Sequence, residues 1–220
     1  MLILSLDTTA AACSVALWRD GETLEAKQTA MSQGQAEALV PMIEHVLSDC
    51  DVSYSMLDRI AVTVGPGSFT GVRVGIATAR ALGFAASKMT VGIPTTEVLA
   101  ATAPEKDRRI LAAIDTKRGD LYVQMFNRDR SPIGNINVVD LENLKLWAGP
   151  DPVTVVGDGA VIALPALGPN ASASSAGPLP NVTNLAELAS TREPTSETLV
   201  PVYARSPDAT IPLEGGRLRP

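Results

Sequence analysis

Histidine is almost missing from this 220-residue chain: His45 stands alone, which leaves no room for a histidine-based metal site. Cysteine is nearly as scarce. Cys13 and Cys50 cannot build a disulfide framework in a chain of this length, and their sparse use fits a reducing, cytoplasmic setting. No uncharged apolar run reaches the roughly 18 residues of a membrane span, so none is expected. Basic residues are also missing ahead of the first apolar stretch. Met1 to Leu6 runs straight into Asp7 and reads as a first strand rather than a signal peptide. Nor is there an excess of positive charge. With 18 Lys and Arg against 24 Asp and Glu, the net charge of −6 argues against this chain gripping a nucleic-acid backbone by itself.

What is present is enough apolar residue, 45%, to bury a substantial core, punctuated by 17 glycines and 16 prolines. Leu2 to Leu6, Cys13 to Trp18 and Thr23 to Thr29 read as an antiparallel meander, with Asp20-Gly21 as a hairpin signal. Leu39, Met42, Ile43, Val46 and Leu47 repeat at helical spacing, and Pro41 within them predicts a bend or local strain. Further strands are expected at 59–64 and 90–93, and helices at 72–86 and 94–101. A second half opens with strands at 110–114 and 121–126, then short helices at 141–147 and 185–190 flanking a strand at 153–156. Residues 165–181, rich in Pro, Ser, Ala and Gly and free of charge, read as an irregular loop, and 214–220 as a disordered end.

Two halves share a pattern. At a constant offset of 108, Asp7-Thr8 aligns with Asp115-Thr116, Val15 with Val123 and Leu17 with Met125, which is consistent with an internal duplication. A division into 1–104 and 105–220 follows. Asp7-Thr8-Thr9 and Asp115-Thr116 each close an apolar strand. Amides and hydroxyls in such turns can receive phosphate oxygens, and the carboxylates can hold a metal-bound water. Capping of the turn by its own aspartate is the simpler reading of either turn alone.

The segment Gly65-Pro66-Gly67-Ser68-Phe69-Thr70-Gly71-Val72-Arg73 joins a strand to a helix. It is neither a Walker loop nor a dinucleotide fingerprint, because the lysine and the glycine spacing those need are absent. Gly71, Gly75, Ala79 and Gly83 follow at intervals of four, a smooth helix face for internal packing or for a neighbouring chain. Cys13 has no activating neighbour in sequence, and Ser68 and Thr70 have no evident base.

MLILSLDTT at 1–9, ACSVALW at 12–18, GPGSFTGVR at 65–73, AAIDTKRGDLY at 112–122 and VPVYAR at 200–205 resemble the TsaB (YeaZ) family of tRNA threonylcarbamoyladenosine biosynthesis subunits. The likeness covers roughly 1–126 and the stretch near 200–206. It implies a two-lobed actin-like (ASKHA) α/β fold of duplicated mixed sheets. It also implies a non-catalytic partner of the paralogue TsaD, with the ATPase TsaE and tRNA reached through the complex. A homodimer is expected when the chain is alone, and ATP or ADP at a complex interface rather than a cofactor of its own. The catalytic paralogue carries a His-x-x-x-His metal pair on its first long helix; here Ser32 to Pro41 contains no histidine, and relatives with a histidine near Gln35 differ at that position. On this reading Leu39, Met42, Ile43 and Val46 of the first helix and Gly71, Gly75, Ala79 and Gly83 of the second form the partner interface. A stand-alone ATP-dependent kinase or a peptidase is the rival.

Overall fold

A computed structural model describes residues 1–193 and 199–205. The expectation for 214–220 lies outside these residues. Among the described residues, ten strands and six α-helices follow one another in an order that repeats. The first half runs β1 (Leu2–Asp7), β2 (Ala12–Arg19), β3 (Glu22–Ala30), α1 (Gln35–Asp49), β4 (Arg59–Thr63), α2 (Phe69–Ala86), β5 (Met89–Ile93) and α3 (Thr95–Thr102). The second runs β6 (Arg109–Asp115), β7 (Asp120–Phe126), β8 (Pro132–Asp140), α4 (Leu141–Ala148), β9 (Val153–Val156), α5 (Ala160–Leu167), β10 (Ala171–Ala173) and α6 (Val182–Thr191). The sheets, β3-β2-β1-β4-β5 and β8-β7-β6-β9-β10, are the same arrangement twice. This is the two-lobed actin-like fold that the resemblance implied.

The duplication is displaced by one residue where the hairpins differ. Leu6 pairs with Val15 in the first sheet and Ile114 with Tyr122 in the second. The offset of 108 therefore holds for β1 and β6, but the structural match of Val15 is Tyr122, not Val123. One fewer residue lies between the paired Asp115 and Leu121 than between Asp7 and Ser14.

Three further expectations change. The second helix begins at Phe69 rather than Val72, because the Ser68 hydroxyl accepts the Gly71 N–H at 3.3 Å and caps it. Pro41 sits inside an uninterrupted α1 on its exposed side, where water can satisfy the carbonyl it leaves unpaired. The stretch 165–181 is not wholly irregular: it holds the end of α5 and all of β10, which pairs with β9 in parallel register.

Burial explains the strand patterns. Every residue of β1 and the first seven of β2 are buried, as central strands covered on both faces require. Helices α1 and α2 cover one face of the first sheet, joining Leu4, Leu6, Val15, Leu17, Leu39, Ile43, Val62 and Ile76 into one core. The other face is closed by α6, whose Val182, Leu185, Ala186 and Ala189 pack on Ile3, Ala16, Val91 and Ile93. In return α3 of the first half packs on the second sheet, Leu99 and Ala100 meeting Ile110 and Ala112. Each half thus lends its third helix to the layer between the sheets, so a cut at 104/105 follows the packing of neither helix.

Candidate functional site

The two duplicated turns, at the ends of β1 and β6, lie at a cleft of about 870 Å³ between the lobes. Thr9, Pro66, Ser68 and Arg73 line it from one side, and Asp115, Thr116, Lys117 and Asp158 from the other.

The first turn is sealed. Asp7 is 1% exposed. Its Oδ1 accepts the Thr9 N–H at 3.2 Å, the Thr9 hydroxyl at 2.6 Å and the Thr63 hydroxyl from the end of β4. Among the described residues its Oδ2 has no hydrogen-bond partner. Burial raises the Asp7 pKa and outweighs the hydrogen bonds from Thr63 and Thr9, which pull it down. The same burial, with the Asp7 charge nearby, pushes the Cys13 thiol up to about 11, so Cys13 is a packed side chain and not a thiolate nucleophile.

The glycine segment closes over this turn. Ser68 donates its N–H to the Thr9 carbonyl at 2.8 Å, and the Thr8 hydroxyl donates to the Gly71 carbonyl at 2.7 Å. A Cβ on Gly67 would lie 2.5 Å from the Thr9 oxygen, and one on Gly71 only 1.8 Å from the Thr8 oxygen. Close backbone approach, rather than a phosphate cradle, accounts for these two glycines. Gly65, at φ 95° and followed by a cis peptide to Pro66, accepts the Thr95 N–H through its carbonyl at 2.8 Å.

The small-residue stripe is consumed in the same way. Gly71, Gly75, Ala79 and Gly83 are all buried. A Cβ on Gly75 would approach Thr8 Oγ1 at 2.8 Å and Val62 at 3.2 Å, and one on Gly83 would meet Thr90 at 2.5 Å. Leu39, Ile43 and Val46 are fully buried in the first-lobe core, with Met42 partly buried against it. The expectation that these eight residues form a partner interface is therefore corrected: seven are inside the chain, and only Met42 is partly reachable. The opposite side of α2 carries Phe69 and Phe84, 67% and 89% exposed, with Arg73, Ala77, Arg80 and Ala81 also exposed. Val40, 46% exposed, and Pro41 lie outward on the neighbouring α1.

The second turn is neutralised from within. Asp115 accepts the Lys117 N–H at 2.7 Å and pairs with its ammonium at 2.8 Å. The same ammonium lies 3.7 Å from Asp158, which also accepts the Asp115 N–H at 3.0 Å. Burial pushes the Asp115 pKa upward, but the bonds and charge of Lys117 prevail and hold it below the usual range. Thr116 donates its hydroxyl to Asp120. An actin-like fold implies a nucleotide and a divalent cation here. The unpartnered Asp7 oxygen suits that in part; the second turn does not, since Lys117 stands between its two carboxylates. Among the described residues no group of three or more His, Cys, Asp or Glu could hold a metal ion, and no helix is long and apolar enough to cross a membrane.

The family model of tRNA N6-adenosine threonylcarbamoyltransferase (TsaD) matches residues 29–159. The chain is 38% identical to the threonylcarbamoyladenosine biosynthesis protein TsaB of Escherichia coli over 135 residues, 60% of this chain and 58% of that protein. With TsaB of Bacillus subtilis it shares 30% over 126 residues, 57% of this chain and 55% of that one. The alignments thus span little more than half the length of these curated relatives. A crystal structure of a Pseudomonas aeruginosa protein similar to the peptidase YeaZ superposes with a TM-score of 0.80 at 29% identity, covering 93% of this chain and 99% of that one.

Proposed function

The chain belongs to the tRNA N6-adenosine threonylcarbamoyltransferase (TsaD) family, and from that premise we propose that it is a supporting subunit in tRNA threonylcarbamoyladenosine biosynthesis rather than the transferase. It docks on a catalytic TsaD-type paralogue in the cytoplasm and stabilises the form that transfers the threonylcarbamoyl group. Its tRNA contact comes through that complex, in which a TsaE-type ATPase takes part and ATP or ADP is held at an interface. Alone, the chain pairs with a second copy through the same face.

The observation that carries this reading is the outer face of α2. A helix whose small residues are spent on its own sheet presents Phe69 and Phe84 to solvent, flanked by Arg73 and Arg80. Exposed aromatic and arginine side chains on a rigid helix are the usual anchors of protein interfaces. The paralogue shares the fold, so its own second helix is the natural counterpart. The self-neutralised second turn supports a non-catalytic role. It also weighs against the kinase alternative, which needs Asp115 free for a cation. The peptidase alternative is weakened because the Ser68 hydroxyl serves as a helix cap.

Co-purification with the catalytic paralogue tests the docking face. Phe84→Glu places a charge where the contact forms, and because Phe84 is 89% exposed the fold should tolerate it. Retention should fall at least tenfold with an unchanged melting temperature. Undiminished retention of a folded Phe84→Glu protein would reject the assignment of this face.

A further inference from the structure

Residues 199–205 stand outside the duplicated pattern, since each repeat is complete at its third helix. Yet this short segment touches both lobes. Leu199 is 7% exposed within the first-lobe core, close against Gly92. Val202 donates its N–H to the Val64 carbonyl at 2.8 Å, just past the end of β4. The Tyr203 hydroxyl accepts a hydrogen bond from the Arg73 guanidinium at 2.9 Å, and that guanidinium lies over the Phe69 ring. Arg205 then reaches the second lobe and pairs with Asp120 at the start of β7. Asp120 is also the acceptor for the Thr116 hydroxyl. Val202, Tyr203, Ala204 and Arg205 all line the cleft.

We propose that residues 199–205 form a strap across the cleft, fixed to the first lobe and latched to the second by Arg205 on Asp120. The two ends differ in kind. At the first lobe a buried leucine and a backbone hydrogen bond anchor the chain. At the second, an ion pair holds it, with the Arg205 side chain 28% and the Asp120 side chain 11% exposed. The latch therefore opens before the anchor does. While closed, it keeps the Asp120 carboxylate engaged with the Thr116 hydroxyl and with the strap, so a ligand that takes that carboxylate must displace Arg205. The pair is largely buried, so salt screens it only weakly and its opening is read by substitution rather than by ionic strength.

Amide hydrogen exchange of the full chain, followed by mass spectrometry, tests the strap independently of any partner. Arg205→Ala should raise exchange at least threefold in peptides covering 116–122, with peptides of β1 and α2 and the anchoring Val202 amide unchanged. Arg205→Lys, which keeps the charge without the guanidinium, should raise it less. Should Arg205→Ala fail to fold, Asp120→Asn, which removes the charge on the other side of the pair but keeps an acceptor for the Thr116 hydroxyl, reads the same latch. Unchanged exchange at 116–122 would overturn the proposal. So would a rise spread evenly over the whole chain, which would mark the pair as part of the general fold.

Discussion

Gly71→Ala separates a packing role for the small-residue stripe from a docking role. The new Cβ would lie 1.8 Å from the Thr8 carbonyl oxygen and 3.0 Å from its carbon, both backbone atoms that cannot swing aside. The start of α2 must move off the β1 turn, which puts the cost in the overpacking range of about 1–3 kcal/mol. Moving it also strains or breaks the 2.7 Å bond from the Thr8 hydroxyl to the Gly71 carbonyl, leaving a fully buried hydroxyl unpaired for about 1–3 kcal/mol more. Against this, alanine in place of glycine favours the helix by only about 1 kcal/mol. The net is a loss of about 1–5 kcal/mol. With a slope near 3 kcal/mol per molar urea, the unfolding midpoint should drop by about 0.3–1.7 M. Ala77→Ser, on the exposed side of the same helix, should shift it by less than about 0.2 M, the scale of an ordinary surface change. An unchanged or raised midpoint for Gly71→Ala, accompanied by loss of partner binding, would refute the packing argument and return the stripe to the interface.

Other outcomes follow from the same structure. Asp7 titrates above its unfolded value because it is buried, so the folded state binds the proton more tightly and wild-type stability declines as pH rises from about 4 through the folded pKa; in urea titrations at pH 4 and 7, Asp7→Asn should lack that decline and gain on wild type at pH 7, and parallel pH dependences would contradict it. Glu105 behaves in the opposite sense. Burial pushes it up, but bonds from Ser175 and Ser174 prevail and bring it to about 2, so its contribution is present above the unfolded pKa and fades between about 4.5 and 2; Glu105→Gln should flatten that part of the acid-unfolding curve, and an unaltered curve would show that the tie from 105 to 174–175 is immaterial. Truncation after Thr102 removes α6 and uncovers Ile3, Ala16, Val91 and Ile93, so the isolated first half should be aggregated or unfolded by circular dichroism and gel filtration, and a monodisperse folded fragment would show that the lobes do not depend on the shared helices.

The first half was legible because its signals are local and strong. β1, β2 and β4 are mostly apolar, with only Ser5 and Ser14 interrupting β1 and β2, α1 has a clean helical period, and Asp7 and Asp115 stand at matching strand ends. The second half hid three elements for separate reasons. β8 is an exposed edge strand, with Gly134 and Asn137 where a core-facing alternation would be expected. α5 is apolar on every side and contains Pro165, so no periodicity marks it. β10 is three small residues whose pairing with β9 is a tertiary event. At the site, a spacing of four reveals that small residues share one side of α2 but not whether that side faces in. Phe69 and Phe84, spaced to fall on the opposite side, were the available sign. Thr63 went unread because nothing in a strand-ending threonine points to a buried aspartate 56 residues earlier. Lys117, two residues after Asp115, was readable as an internal counter-charge. The 200–205 segment was read for its resemblance, yet its path across the cleft is set by contacts remote in sequence.

A supporting rather than a catalytic role is read out by threonylcarbamoyl transfer to tRNA by the catalytic paralogue and its ATPase, measured as this chain is titrated in. The expected outcome is no transfer and no ATP turnover by the chain alone, at least a tenfold rise in transfer as it saturates the paralogue, and loss of that rise with Phe84→Glu. Transfer or robust ATP turnover by the isolated chain, or a paralogue indifferent to its presence, would contradict it.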